Sequence, residues 1–170
     1  MNSAEKEGGT LHDRLALVLA SGFGLGYAPL APGTAGALGG LGSWALLTST
    51  LSGAFPGTLS QPFLALAACL ALFGVGVWSA NRAERHWGDD ASRIVLDEWL
   101  GVWVALVLVP WSWGGAVVGF VLFRFFDIVK PWLARKAEGL GGGVGVMLDD
   151  VVAGLYANLL LQLAVRTGWL

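Results

Sequence analysis

The chain has 170 residues, 55% of them hydrophobic and only 13% charged, with a net charge of -2 at neutral pH. A soluble domain of this size needs a charged exterior that these residues do not supply, and no nucleic-acid partner is expected. The composition therefore points to an all-α, polytopic membrane helical bundle in a single domain.

The first 14 residues, MNSAEKEGGTLHDR, are polar and mixed in charge. They lack the basic-then-apolar layout of a signal peptide, so this arm is expected to be retained ahead of a membrane-embedded domain spanning residues 15–170. From Leu15 through Asn81, a stretch of 67 residues, there is no Asp, Glu, Lys, Arg or His. This stretch opens with SGFGLGYAPLAPGTAG, Ser21 to Gly36, where Pro29, Pro32 and the glycines break regular helix. Irregular backbone at membrane depth survives only where protein or a wet cavity satisfies it, so a re-entrant or interfacial segment is predicted here. Pro32-Gly33-Thr34 then opens a helix, and such N-terminal amides receive phosphate well. Gly22, Gly24 and Gly26 do not form a Walker loop, because no Gly-Lys-Ser/Thr follows.

Apolar, helix-compatible stretches follow at Ala35–Leu51, Pro62–Ala80, Ile94–Val109, Gly114–Phe126 and Leu148–Val165. A bilayer core of roughly 30 Å needs about 20 apolar residues per helical crossing, fewer where flanking groups adapt. About five spans are expected, and Gly36, Gly39, Gly40 and Gly42 would let helices approach closely. The single cysteine, Cys69, excludes an intramolecular disulfide.

Basic residues precede the first span (Lys6, Arg14), follow the second (Arg82, Arg85, Arg93) and follow the fourth (Arg124, Lys130, Arg135, Lys136). The connections at Ser52–Gln61 and Pro110–Trp113 contain none, so five alternating crossings with a cytoplasmic N-terminus satisfy the positive-inside rule. Trp111, Trp113 and Trp169 would then form an outer aromatic belt, with Trp78, Trp87 and Trp132 near the inner one.

In this topology Asp97, Glu98, Asp127, Asp149 and Asp150 all arrive at the cytoplasmic face at similar depth. Taken singly, Asp97 and Asp149 are equally well read as first-turn acids at helix N-termini, and Asp127 could pair with Arg124 three residues before it. Together, five acids repel each other unless cations intervene, and hard, oxygen-seeking Mg²⁺ suits such a set. Arg124 and Lys130 beside Asp127 suit a phosphate clamp, or snorkel to headgroups. Snorkelling is the preferred reading of Arg135 and Lys136.

Four stretches in order, GFGLGYAPLAPGTAGAL, IVLDEWLGVWVAL, FRFFDIVKPW and GVGVMLDDVVAG, make the chain resemble the bacterial phosphatidylglycerophosphatase A family from about Leu17 to Tyr156. The resemblance implies a Mg²⁺-dependent lipid phosphatase of the bacterial cytoplasmic membrane, multi-pass and facing the cytoplasm. Its substrate would be phosphatidylglycerophosphate, hydrolysed to phosphatidylglycerol and phosphate in phospholipid synthesis. The family's acidic positions fall on Asp97, Glu98, Asp127, Asp149 and Asp150, with Arg124, Lys130 and Thr34 as substrate-binding companions. The chain departs from the pattern in EGLGGG, Glu138 to Gly143, where Gly141 replaces a polar or basic side chain.

The expected chemistry places Mg²⁺ on Glu98, Asp127, Asp149 and Asp150, with Asp97 a candidate to accept the proton of the attacking water. His12 and His86 stand next to no plausible nucleophile. The alternative is a small channel or transporter for divalent cations with an acidic cytoplasmic site, which calls for carboxylates at the midplane along a continuous polar path. Oligomeric state is not legible in the chain.

Overall fold

Helix α1, Leu11–Ala20, begins at a reciprocal cap: the Thr10 hydroxyl accepts from the Asp13 amide, and the Asp13 carboxylate accepts from the Thr10 amide. The Thr10 hydroxyl also donates to Asp13, and with Arg82 beside it this holds the carboxyl below its ordinary value. The Arg82–Asp13 contact of 2.9 Å ties α1 to α3, Ser60–Trp87, while the same guanidinium lies over the Trp78 ring. The computed structural model describes residues 10–55, 60–89 and 91–170. The first nine residues of the polar arm and part of the Ser52–Gln61 connection lie outside the described residues, and the expected boundary after residue 14 falls within α1.

Among the described residues the fold is all-helical, with seven α-helices and no strand. After α1 come α2 (Pro32–Ala54), α3, α4 (Leu96–Leu106), α5 (Trp113–Val129), α6 (Trp132–Glu138) and α7 (Gly142–Arg166). Between α1 and α2 the chain makes a single 3-10 turn, Leu25–Tyr27, in the segment expected to be irregular. Helix α4 is the centre of the bundle, packed against α2, α3, α5 and α7, with Leu96, Leu100, Val102, Ala105 and Leu106 buried. Small residues permit this: a side chain at Gly40 would strike the Trp99 backbone, and one at Gly154 would strike the Gly101 carbonyl.

Helices stand at all five predicted apolar stretches, but five crossings do not follow from them. Two helices, Gln61–Trp87 and Gly142–Arg166, are long and apolar enough to cross a membrane. Helix α4 has 11 residues, about 16 Å at 1.5 Å per residue, roughly half a bilayer core. It stops because Val107 turns extended, Leu108 adopts a positive φ of 61° and Pro110 cannot continue the ladder. The buried Asn158 of α7 donates to the carbonyls of Ala105 and Val107 at 3.0 and 2.8 Å, satisfying groups that the helix end would otherwise orphan. Helix α5, at 17 residues, is also short of a full perpendicular span.

Helix α7 starts six residues before the predicted stretch, after Gly141 and Gly142 take positive φ. Having no side-chain cap of its own, it borrows one from α3: the Gly143 amide donates to Asn81 Oδ1 at 2.9 Å. A side chain at position 143 would collide with the Val77 carbonyl and the Asn81 amide, so glycine is what allows α7 to begin against α3.

Candidate active site

The starts of α2 and α4, the end of α5 and the third turn of α7 converge on one cavity of about 320 Å³. Its wall contains Ala31, Pro32, Gly33, Ala91, Ser92 and Ile94 together with Asp97, Glu98, Arg124, Asp127, Lys130, Asp149 and Asp150. The five predicted acids and two predicted cations thus share a single chamber. Thr34 is not among the residues that line it; Gly33, one position earlier in α2, is.

Two ion pairs divide the acids into groups. Arg124 Nη1 lies 2.6 Å from Asp127 Oδ2 and 4.0 Å from Glu98 Oε1, so the plain i,i+3 pairing exists within the cavity. Lys130 Nζ lies 2.9 Å from Asp149 Oδ2 and 3.0 Å from Glu138 Oε1. Lys130 ends α5 at φ +46°, a left-handed conformation that costs about 1–2 kcal/mol outside glycine. Arg135 holds that bend: its Nε donates to the Lys130 carbonyl at 2.7 Å. The bond ties Arg135 to the residue that carries the site's ammonium, while Lys136 lies over the Trp132 ring. Burial by itself would lower the Lys130 ammonium, but the Asp149 and Glu138 carboxylates outweigh it and hold the group above its ordinary value.

Of the other three acids, Glu98 has only the longer Arg124 contact, and no ion pair reaches Asp97 or Asp150. One carboxylate oxygen from each of Asp97, Glu98 and Asp150 lies within 4.8 Å of the others. Asp97 Oδ1, Glu98 Oε2 and Asp150 Oδ2 are buried with no hydrogen bond, and Asp150 as a whole is only 3% exposed. Uncompensated buried carboxylate oxygens are costly, and three converging oxygens are the donor set that hard divalent cations take. Asp97, Glu98 and Asp150 form a group that could hold a metal ion; two of its members, Glu98 and Asp150, belong to the expected set, whose other members, Asp127 and Asp149, each contact a cationic side chain.

The helix-dipole alternative applies to the acids of α4 and not to those of α7. Asp97 and Glu98 do occupy the first turn of α4. Asp149 lies seven residues beyond the start of α7, outside the turn where the dipole acts.

Sequence reasoning missed three parts of this site. Gly33 packs so closely on the Glu98 carboxylate that a methyl group would collide with it and crowd Arg124; the Pro-Gly step at the helix start was its signal. Glu138 completes the lysine's cage from α6, a seven-residue helix with no periodic signal. Ser92 lines the wall from a loop and has no sequence signature. His86, by contrast, uses Nδ1 against the Arg82 carbonyl in α3 and takes no part.

The fold is thus a helical bundle in which an acid trio that could hold a metal ion shares a cavity with two cationic side chains. The chain belongs to the phosphatidylglycerophosphatase A family, whose profile matches residues 18–165. It is 37% identical over 145 residues to phosphatidylglycerophosphatase A of Escherichia coli, covering 82% of this chain and 77% of that one. The Haemophilus influenzae protein of the same name is 38% identical over 146 residues, 85% of each chain. A Bacteroides thetaiotaomicron protein with the provisional name phosphatidylinositol-3-phosphatase is 46% identical over 159 residues, 88% of this chain and 93% of that one. No solved structure matches the chain.

Proposed function

We propose that this protein is a Mg²⁺-dependent phosphatase that hydrolyses phosphatidylglycerophosphate to phosphatidylglycerol and phosphate. The observation that carries the reaction class is the set of three unpartnered, buried carboxylate oxygens facing the same cavity as Arg124 and Lys130. The substrate rests on the family and on the names of the Escherichia coli and Haemophilus influenzae relatives. Nothing in the site favours a channel: the acids gather in one chamber with two cationic side chains.

In this reading Asp97, Glu98 and Asp150 hold the metal. A divalent cation there supplies Lewis acidity toward the phosphate and lowers the pKa of a water. Arg124 and Lys130 bind the phosphate oxygens, the guanidinium with a planar fork of donors and the ammonium as a point charge. As they do, Asp127 and Asp149 keep each cation aimed at the cavity, or are released to add oxygens of their own to the metal. Asp97 keeps a second carboxylate oxygen beyond the one it turns to the trio, and that oxygen accepts the proton of the attacking water. The start of α2 contributes Gly33 beside the Glu98 carboxylate and Arg124, where a helix N-terminus favours a phosphate.

Residues 15–170 then act as one membrane-embedded domain, multi-pass, in the bacterial cytoplasmic membrane. The basic residues at the end of α5 and after it, Arg124, Lys130, Arg135 and Lys136, favour a cytoplasmic orientation of the site. The lipid's acyl chains remain in the inner leaflet while its terminal phosphate enters the cavity. The test is phosphate release by purified protein in mixed micelles with Mg²⁺, offered phosphatidylglycerophosphate, phosphatidic acid and phosphatidylinositol 3-phosphate separately. Preferred release from the first supports the reading. Preference for the inositol lipid would align the chain with its Bacteroides relative instead.

A further inference from the structure

Lys130 is held at two points by one short helix. Arg135 and Glu138 stand three residues apart on α6, the spacing that places two side chains on one helix face. From that helix Arg135 Nε donates to the Lys130 carbonyl at 2.7 Å, and Glu138 Oε1 lies 3.0 Å from Lys130 Nζ. The end of α6 sits close against α7 because residue 145 is glycine: a side chain there would collide with the Glu138 carbonyl. Packing between α6 and α7 thus fixes the backbone of Glu138, while its carboxylate reaches back to the end of α5.

The two cations of the charged cavity differ in where their acids stand. Arg124 meets Asp127 and Glu98, and both of these line the cavity. Lys130 meets Asp149, which lines it, and Glu138, which does not. Glu138 lines instead a neighbouring chamber of about 300 Å³, and Asp149 lines both. The ammonium therefore stands between an acid inside the cavity and an acid outside it. An ammonium carries three N–H donors and no acceptor. With carboxylates at 2.9 and 3.0 Å, one donor is left for a phosphate oxygen, and Glu138 takes up no part of the cavity wall.

We propose that Glu138 is a positioning residue for phosphate binding: from outside the cavity it holds the Lys130 ammonium at the wall, so that the lysine's placement does not depend on Asp149 alone. The assignment rests on the lipid-phosphatase reading above, in which Lys130 binds the phosphate. Its sign is opposite to that of a plain charge effect. An acid near a phosphate site repels the anion, so removing an acid with no other role should tighten binding. Removing the acid that places the lysine should weaken it.

The test uses the full chain in mixed micelles with Mg²⁺ and a non-hydrolysable phosphonate analogue of phosphatidylglycerophosphate. The dissociation constant of the analogue is measured by calorimetric titration for the wild type, Glu138→Gln, Lys130→Ala and the double variant. Glu138 is 44% exposed, and glutamine keeps its size while removing its charge, so the fold is expected to stand. Affinity for the analogue should fall about fivefold in Glu138→Gln, the worth of a half-exposed ion pair. In Lys130→Ala, which has no ammonium to place, adding Glu138→Gln should change the affinity by less than about twofold. Unchanged or tighter binding by Glu138→Gln overturns the assignment. So does a loss of the same size in the Lys130→Ala background, which would give Glu138 a role in packing alone, and so does wild-type affinity in Lys130→Ala. If the wild type releases no phosphate from phosphatidylglycerophosphate, the underlying reading fails and takes the assignment with it. If it does release phosphate, and Glu138→Gln binds the analogue as the wild type does, only the role of Glu138 is lost.

Discussion

The two ends of the bundle hold cavities of comparable size and opposite character. At the end where α2, α4 and α7 begin, about 320 Å³ is walled by five acids and two cations. At the other end about 260 Å³ is walled by Trp44, Leu51, Pro62, Val109, Pro110 and Trp111 with Thr48, Ser52 and Gln61. The polar groups there are locally satisfied: the Thr48 hydroxyl donates to the Trp44 carbonyl at 3.0 Å, and Gln61 Nε2 to the Phe55 carbonyl at 2.5 Å. In the charged cavity, oxygens of Asp97, Glu98 and Asp150 have no hydrogen bond. Volume does not distinguish the two; buried polar atoms without a hydrogen bond do, because each such atom in a native protein calls for an explanation such as an ion.

That contrast breaks most visibly at the trio. Asp150→Asn or Glu98→Gln should lower phosphate release about a thousandfold, near 4 kcal/mol of barrier, measured on folded, micelle-purified protein with Mg²⁺. Arg124→Lys comes next. Losing the planar fork while keeping the charge should lower kcat/KM about tenfold to a hundredfold, with Mg²⁺ affinity within about threefold of wild type if the guanidinium serves phosphate rather than metal.

The helix end below α4 is a structural counterpart. Asn158→Leu leaves the Ala105 and Val107 carbonyls without donors, and should cost about 1–3 kcal/mol of stability, read as a lower midpoint in thermal unfolding. Because Asn158 is remote from the acids, Mg²⁺ affinity of the folded protein should change little. Smallest of all are Thr48→Ala and Gln61→Ala in the outer cavity, each expected to leave phosphate release within about twofold. A large loss from either would mean that the outer end participates after all.

The same contrast explains what could be read from the chain beforehand. Charge-free runs mark α2, α3, α5 and α7 because apolar length is a one-dimensional signal, and the acids stand out against them. Convergence of Asp97, Glu98, Asp127, Asp149 and Asp150 followed from topology. Their division did not, since whether a carboxylate meets Arg124, Lys130 or nothing is set by side-chain packing. The early start of α7 was hidden by GGVGV, poor helix-forming residues that become helical because Asn81 of α3 caps them and their bareness allows close contact. Helices α1 and α6, of 10 and seven residues, were too short for periodicity to register. The Arg135 bond to the Lys130 carbonyl was not legible, because nothing local showed that the chain bends at Lys130. The number of crossings was overread from hydropathy: α4 is apolar enough but stops at 11 residues, inside the bundle, on a side chain from α7.

The central claim is that Asp97, Glu98 and Asp150 form the metal site of a lipid-phosphate phosphatase. Its most direct test is calorimetric titration of Mg²⁺ into metal-free wild type and Asp150→Asn, each also assayed for phosphate release from phosphatidylglycerophosphate. The account predicts saturable Mg²⁺ binding by the wild type, with affinity and phosphate release lost together in the folded variant. An Asp150→Asn protein that binds Mg²⁺ and releases phosphate as the wild type does would contradict it.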